Sequence, residues 1–100
     1  MVYLTVHLYG RQGLPGEFKA YEQHVLDLFR RHGGEVLVAY TPQRAAGDTD
    51  TPDEIQVLRI ADQASLEAFM TGPARTALAA ERERVIRRTV IYQSAALVDY

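Results

Sequence analysis

FKAYEQHVLDLFRRHGGEVLV, residues Phe18–Val38, decides the fold. It reads as an amphipathic helix, a Gly-Gly stop and a β-strand running back. On a helical wheel Phe18, Tyr21, Val25, Leu28, Phe29 and His32 fall in one stripe about 100° wide, the width a helix needs to lie on a sheet. Lys19, Gln23, Asp27 and Arg30 lie opposite. Leu26 falls off the stripe and reads as an exposed leucine or a subunit contact. Pro15 suits the first helical position and Glu17 the positive helix end, which predicts a helix over about Pro15–Arg31. Gly33 suits a left-handed position just past the helix, and Arg30, Arg31 and His32 suit its negative end. Glu35–Thr41 is apolar at nearly every position, which predicts a strand buried on both faces.

Outward from this unit, Val2–Tyr9 alternates. Val2, Leu4, Val6 and Leu8 point one way, and Tyr3, Thr5, His7 and Tyr9 the other. The second face is amphipathic rather than simply solvent-like, because tyrosine and histidine favour partial burial with the polar tip satisfied. Gly10–Gly16, with three glycines and Pro15, is a loop. Its glycine spacing is not that of a phosphate-binding loop. Pro42–Asp53 is a polar surface connection. Glu54–Ile60 is a third strand, with Ile55, Val57 and Arg59 on one face and Gln56, Leu58 and Ile60 on the other. Asp62 suits an N-cap, and Leu66, Phe69 and Met70 form the apolar edge of a second helix. Gly72-Pro73 interrupts it, and a further helical segment is predicted over about Pro73–Arg87. Thr89–Tyr100 reads as the last strand. The order is β-α-β-β-α-β, an α+β ferredoxin-like arrangement expected to form one domain over residues 1–100. Two helices cover one face of a four-stranded sheet. The other face, rich in Tyr, His, Thr and aliphatics, is expected to pair with a second copy in a homodimer.

The formal charge is −2 and the signs are interspersed. No basic field is present to attract nucleic acid. Arg82, Arg84, Arg87 and Arg88 are interleaved with Glu81 and Glu83 and read mainly as a solvated helix face, with an anionic partner site as the alternative. Cysteine is absent, which excludes disulfides, thiol nucleophiles and thiolate metal sites. No apolar run approaches the ~20 residues that span a bilayer. The expected compartment is the cytoplasm, with no membrane partner.

His24 and His32 stand eight residues apart on one helix, ~12 Å by helical rise, too far to share an ion. His7 has no ligand-type partner two residues along its strand. No metal site and no cofactor are expected. Acid–base chemistry is best placed on His7, since histidine changes charge near neutral pH. Arg59, unusual in a central strand, suits a carboxylate or enolate oxygen. Tyr3, Tyr9, Tyr21 and Tyr92 are the candidate ligand-binding hydroxyls. The competing reading makes His7 and Arg59 satisfied interface residues, Tyr21 a core residue and His32 a helix-end residue.

FKAYEQHVLDLFRRHGGEVLV, with DEIQVLRIADQASLEAFMTGPARTAL (Asp53–Leu78), resembles a small bacterial family classed as a domain of unknown function within the dimeric α/β-barrel superfamily. The similarity rests on the tyrosine-containing first helix ending in His32-Gly33-Gly34, the hydrophobic third strand and the Ala68-Phe69…Pro73 segment. It covers about residues 15–80. It implies a ferredoxin-like protomer, sheets facing each other in a homodimer, and ligand cavities beside the sheet. The wider superfamily includes cofactor-independent monooxygenases of antibiotic biosynthesis and haem-degrading enzymes. The chain has no Trp and no Asn, so an Asn/Trp/His oxygenase site has no counterpart here. The expected function is binding of a small organic ligand. The alternative is a cofactor-independent monooxygenase or isomerase-type enzyme acting on a small aromatic or polyketide-like substrate.

Overall fold

A computed structural model describes residues 1–100. Four strands, β1 (Val2–Gly10), β2 (Glu35–Tyr40), β3 (Glu54–Ile60) and β4 (Ile86–Ser94), form one antiparallel sheet of order β2-β3-β1-β4. Helix α1 (Pro15–Arg31) crosses between β1 and β2. Helices α2 (Gln63–Thr71), α3 (Pro73–Thr76) and α4 (Ala79–Val85) lie between β3 and β4. This is the ferredoxin-like βαββαβ topology. The molecule is a slab of 40 × 38 × 15 Å, two layers thick, so one sheet face carries helices and the other carries none.

The register assigns the faces. Leu4 pairs with Leu58 and Gln93, and Val6 with Gln56 and Ile91; these side chains point to the helices. Tyr3 pairs with Arg59, Thr5 with Val57 and Tyr92, and His7 with Ile55 and Val90; these point to the open face. The core joins Val2, Leu4, Val6 and Leu8 to Phe29, Leu58, Ile60, Phe69 and Val85. Phe29, 1% exposed, meets the Phe69 ring edge-on at 5.2 Å, a geometry aromatic pairs favour.

Helix boundaries follow local chemistry. Pro15 opens α1, and Gly33 (φ +84°) ends it in the left-handed region. Asp62, in extended backbone, accepts from the Ser65 N–H at 2.8 Å and caps α2. That hydrogen bond holds the Asp62 carboxyl below the usual carboxylate range. Asp62→Ala is expected to lower the urea midpoint at neutral pH, because the Ser65 N–H loses its acceptor.

Three boundary expectations change. The predicted Pro73–Arg87 helix is two helices, α3 and α4, separated by Ala77 and Leu78. The last strand runs over Ile86–Ser94 rather than Thr89–Tyr100. Its pairing with β1 ends at Tyr3↔Ser94, because β1 begins at Val2 and offers little beyond it to pair with. β2 is largely exposed rather than buried on both faces. It is the sheet edge beside β3, and its register shifts between Val36 and Val38. Apolar composition identified the strand but not its edge position.

Candidate functional site

Tyr21 and Glu22, consecutive on α1, are both buried against the sheet. Gln56, in the middle of β3, is 2% exposed and faces the same helix. Its Nε2 donates to Glu22 Oε1 at 2.8 Å and to Glu54 Oε2 at 2.6 Å. Arg75 of α3, Arg82 of α4 and Thr89 of β4 complete the polar set. With Tyr21, Glu22 and Gln56 they border a cavity of about 500 Å³ between the helices and the sheet. Twelve of the seventeen lining residues are hydrophobic. An apolar hollow with a few converging polar groups is the usual form of a small-molecule site.

The electrostatics are uneven. Burial pushes the Glu22 carboxyl up to about 7, and the Glu54 charge adds to this; the Gln56 hydrogen bond, Arg82 and Arg75 pull it down. A buried carboxyl behaves this way because desolvation disfavours its charged form. Burial, with the neighbouring Glu22, also raises Tyr21. At neutral pH Glu22 therefore exchanges a proton readily, while Tyr21 keeps its own. Arg82 donates to the Thr89 hydroxyl at 2.9 Å. The Arg75 guanidinium stands 5.2 Å over the Phe69 ring, and its Nε is buried without a hydrogen-bond partner. The ion pairs of the chain engage Arg11, His24, Arg31, Arg44 and Arg59; neither Arg75 nor Arg82 is in one. No group of three His, Asp or Glu side chains converges to hold a metal ion.

Of the candidate catalytic and ligand-binding residues named from the sequence, only Tyr21 borders this cavity. His7 and Tyr92 meet on the open face with ring centroids 5.8 Å apart. Arg59 lies opposite Tyr3 and pairs with Glu35 at 2.5 Å, which raises its pKa. Tyr3 and His7 stand four positions apart on β1, ~13 Å along the strand, so Arg59 and His7 are not neighbours within one chain. Tyr9 is buried. Its hydroxyl donates to the Asp50 carbonyl at 2.9 Å, and the Arg87 and Arg88 guanidiniums flank its ring at 5.1 and 5.2 Å. His32 Nδ1 lies 3.0 Å from the Leu28 carbonyl oxygen at the end of α1.

A wider, open cleft of about 1320 Å³ lies where the Gly10–Pro15 and Thr41–Glu54 loops meet. Its polar groups engage one another. Asp53 accepts from the Gly10 N–H at 2.7 Å and from Arg44 at 3.1 Å, and Asp48 accepts from the Thr51 hydroxyl and the Asp50 N–H. This cleft is a pinned loop junction, and the smaller apolar cavity is the better candidate site.

The family model for DUF1330, a domain of unknown function, matches residues 2–95. The chain belongs to that family. No curated protein matches it. Among solved structures, this DUF1330 domain is similar to a protein of unknown function from Rhodopseudomonas palustris, with TM-score 0.78, 15% identity, and coverage of 98% of this chain and 83% of that one. A dimeric ferredoxin-like protein of unknown function from Thermobifida fusca gives TM-score 0.64 and 12% identity over 95% and 90% of the two chains. A Dabb family protein with a ferredoxin-like fold from Mesorhizobium loti gives 0.63 and 15% identity over 97% of each. At these identities the likeness shows the fold.

Glu22 was not singled out in the sequence of this DUF1330 domain, although a signal is present. On the wheel of α1 Glu22 falls between Phe29 and Leu26. Leu26, read as lying off the stripe, packs against the core and lines the cavity. The buried stripe is wider than the sequence reading allowed, and a carboxylate lies inside its true width. Gln56 and Arg75 carry no such signal, because only the tertiary fold brings β3 and α3 to one hollow; Arg82, read as part of a solvated helix face, is instead half-buried and lines the cavity, because α4 lies against the sheet there.

Proposed function

We propose that residues 1–100 act as one dimeric α/β-barrel domain that binds a small organic ligand. The observation that carries the reading is the apolar cavity edged by Tyr21, Glu22, Gln56, Arg75 and Arg82. Its volume lies within the roughly 300–1,000 Å³ of small-molecule sites. The dimer is supported by the open face, where Val38, Tyr40 and Tyr92 are strongly exposed around the half-buried Tyr3, His7, Ile55 and Val57. The Thermobifida fusca relative of the same fold is described as dimeric. In this reading His7, Arg59, Tyr3 and Tyr92 serve the interface, and Tyr21 serves the ligand.

Amide-proton NMR with naphthol as a neutral probe tests the ligand reading. Shifts are expected around Tyr21, Gln56 and Leu58. Shifts confined to His7, Arg59 and Tyr92 move the site to the open face, and no shifts remove the binding reading. For the dimer, Tyr92→Glu places a charge at an isologous contact and is expected to convert a dimer into a monomer in light scattering. A wild-type protein that elutes at one chain mass sinks the dimer.

The second reading is a cofactor-independent isomerase- or monooxygenase-type enzyme. It is favoured by the poise of Glu22 near neutrality within an apolar hollow, the condition a general acid or base needs. The sequence reading gives the acid–base part to His7, with Arg59 stabilising an oxyanion. On the open face these two would converge only across a dimer interface. His7→Ala and Arg59→Ala dimers that assemble normally and lose turnover on a small aromatic ketone support that assignment. Loss of assembly alone assigns both residues to the interface.

A further inference from the structure

We propose that the ligand of the helix–sheet cavity is a small organic acid with an apolar body, its carboxylate held by Arg75 and Arg82 and its body lying on the aliphatic lining. The inference rests on the cavity reading above and adds the ligand's chemical class.

Three observations lead to it. First, the charged side chains that line the cavity are Glu22, Arg75 and Arg82. With Glu22 partly protonated, the lining itself carries a net positive charge; Glu54 and Glu81 stand nearby but do not line the cavity. Second, neither arginine is in an ion pair, and Arg75 Nε is buried with no acceptor. A buried donor without a partner is costly unless something fills its direction. Guanidinium groups answer carboxylates in particular, through strong charge-assisted hydrogen bonds. Third, most of the lining is hydrophobic. That suits an apolar body and not a sugar or a nucleotide, whose hydroxyls would find no partners there.

Glu22 gives the site a pH dependence. It is faced by Tyr21 on its own helix, Glu54 and Gln56 on β3, Arg75 on α3 and Arg82 on α4; Glu81 of α4 acts on the adjacent Tyr21 and lies 3.2 Å from His24 Nδ1. An ionised Glu22 competes with the ligand carboxylate for the two guanidiniums, whereas a protonated Glu22 does not and can donate to it. Affinity for the acid therefore falls as pH rises through about 7. If only the protonated form binds, the loss between about pH 6 and pH 8 is about tenfold. The ligand, with a pKa near that of other carboxylic acids, stays ionised throughout.

The test is calorimetric titration of the full chain with phenylbutanoate and with its neutral amide. The acid is expected to bind at least about tenfold more tightly at pH 6. Arg75→Ala and Arg82→Ala are expected to lose about tenfold for the acid and little for the amide, with Arg75→Lys and Arg82→Lys recovering part of the loss. Glu22→Gln is expected to bind the acid equally at pH 6 and pH 8. Circular dichroism of each variant confirms the fold, and the lysine variants keep the test open if an alanine variant unfolds. Equal binding of acid and amide overturns the ligand class and leaves the cavity reading standing, as does an equal loss of both in the arginine variants. No binding of either overturns both. A pH slope that persists in Glu22→Gln removes Glu22 from the site's chemistry.

Discussion

The stability difference between Glu22→Gln and the wild-type protein is expected to swing by about 3 kcal/mol in favour of the variant between about pH 4 and pH 8. The fold raises this carboxyl from 4.5 to about 7, chiefly by burial. It therefore favours the neutral acid, and the sign follows. Below about 4.5 Glu22 is protonated in both folded and unfolded chains, and its favourable contribution is complete. As pH rises from there, the unfolded chain releases the proton and the folded chain holds it, so stability is lost until the folded group also ionises near 7. Above that pH the loss is flat. Glutamine keeps a carbonyl oxygen to accept from Gln56 Nε2 and has no proton to lose, so its curve lacks this component. Urea unfolding of both proteins across the range reads the difference directly. Curves that stay parallel from pH 4 to pH 8 would sink the assignment, because an exposed Glu22 produces no such swing. The same carboxyl is proposed to govern ligand affinity, so the pH at which the stability loss levels off and the pH above which affinity falls must coincide near 7.

This site shows where the sequence was informative and where it was not. The Phe18–Val38 unit was legible because each of its signals is local: a helical stripe, a left-handed glycine and an apolar return strand. Alternation placed Leu4 and His7 on opposite faces of β1, and that survives in the register. The sequence could not place β2 at the sheet edge, because Leu37 and Val38 look alike in the middle of a sheet and at its border. It also drew attention to the wrong kind of signal for chemistry. His7, Arg59 and Tyr92 stand out because polar and aromatic residues are conspicuous in strands. Glu22 does not stand out, because glutamate is common on helices. Its interest arises from Gln56, 34 residues away, and from two arginines on helices that the sequence read as one. Local pattern is sufficient for a fold built of regular elements. A site made by convergence of four elements depends on the packing angle of α1 and on the turn between α3 and α4, which no short window encodes.

Gly34→Ala is expected to destabilise the protein by about 3 kcal/mol, against about 1 kcal/mol for Gly33→Ala next to it. The two glycines do different work. Gly33 has φ +84° and open space around its Cα, so a side chain there meets only the left-handed penalty. At Gly34 a Cβ would lie 2.3 Å from two ring atoms of Phe29, well inside contact distance. The ring cannot withdraw easily. It is fully buried, braced edge-on by Phe69, and its own carbonyl accepts from the His32 and Gly34 N–H groups at 3.1 and 3.0 Å. The chain reverses directly over this aromatic side chain, and only glycine lets the backbone lie so close. Relief should come from the other partner. Phe29→Leu alone removes core contacts and is expected to cost more than 1 kcal/mol, but it should cost less, or nothing, in the Gly34→Ala background. Urea midpoints for the two single variants and the double variant measure that coupling. Strict additivity would mean that the steric contact does not control the turn, and that His32-Gly33-Gly34 is set by the left-handed residue alone.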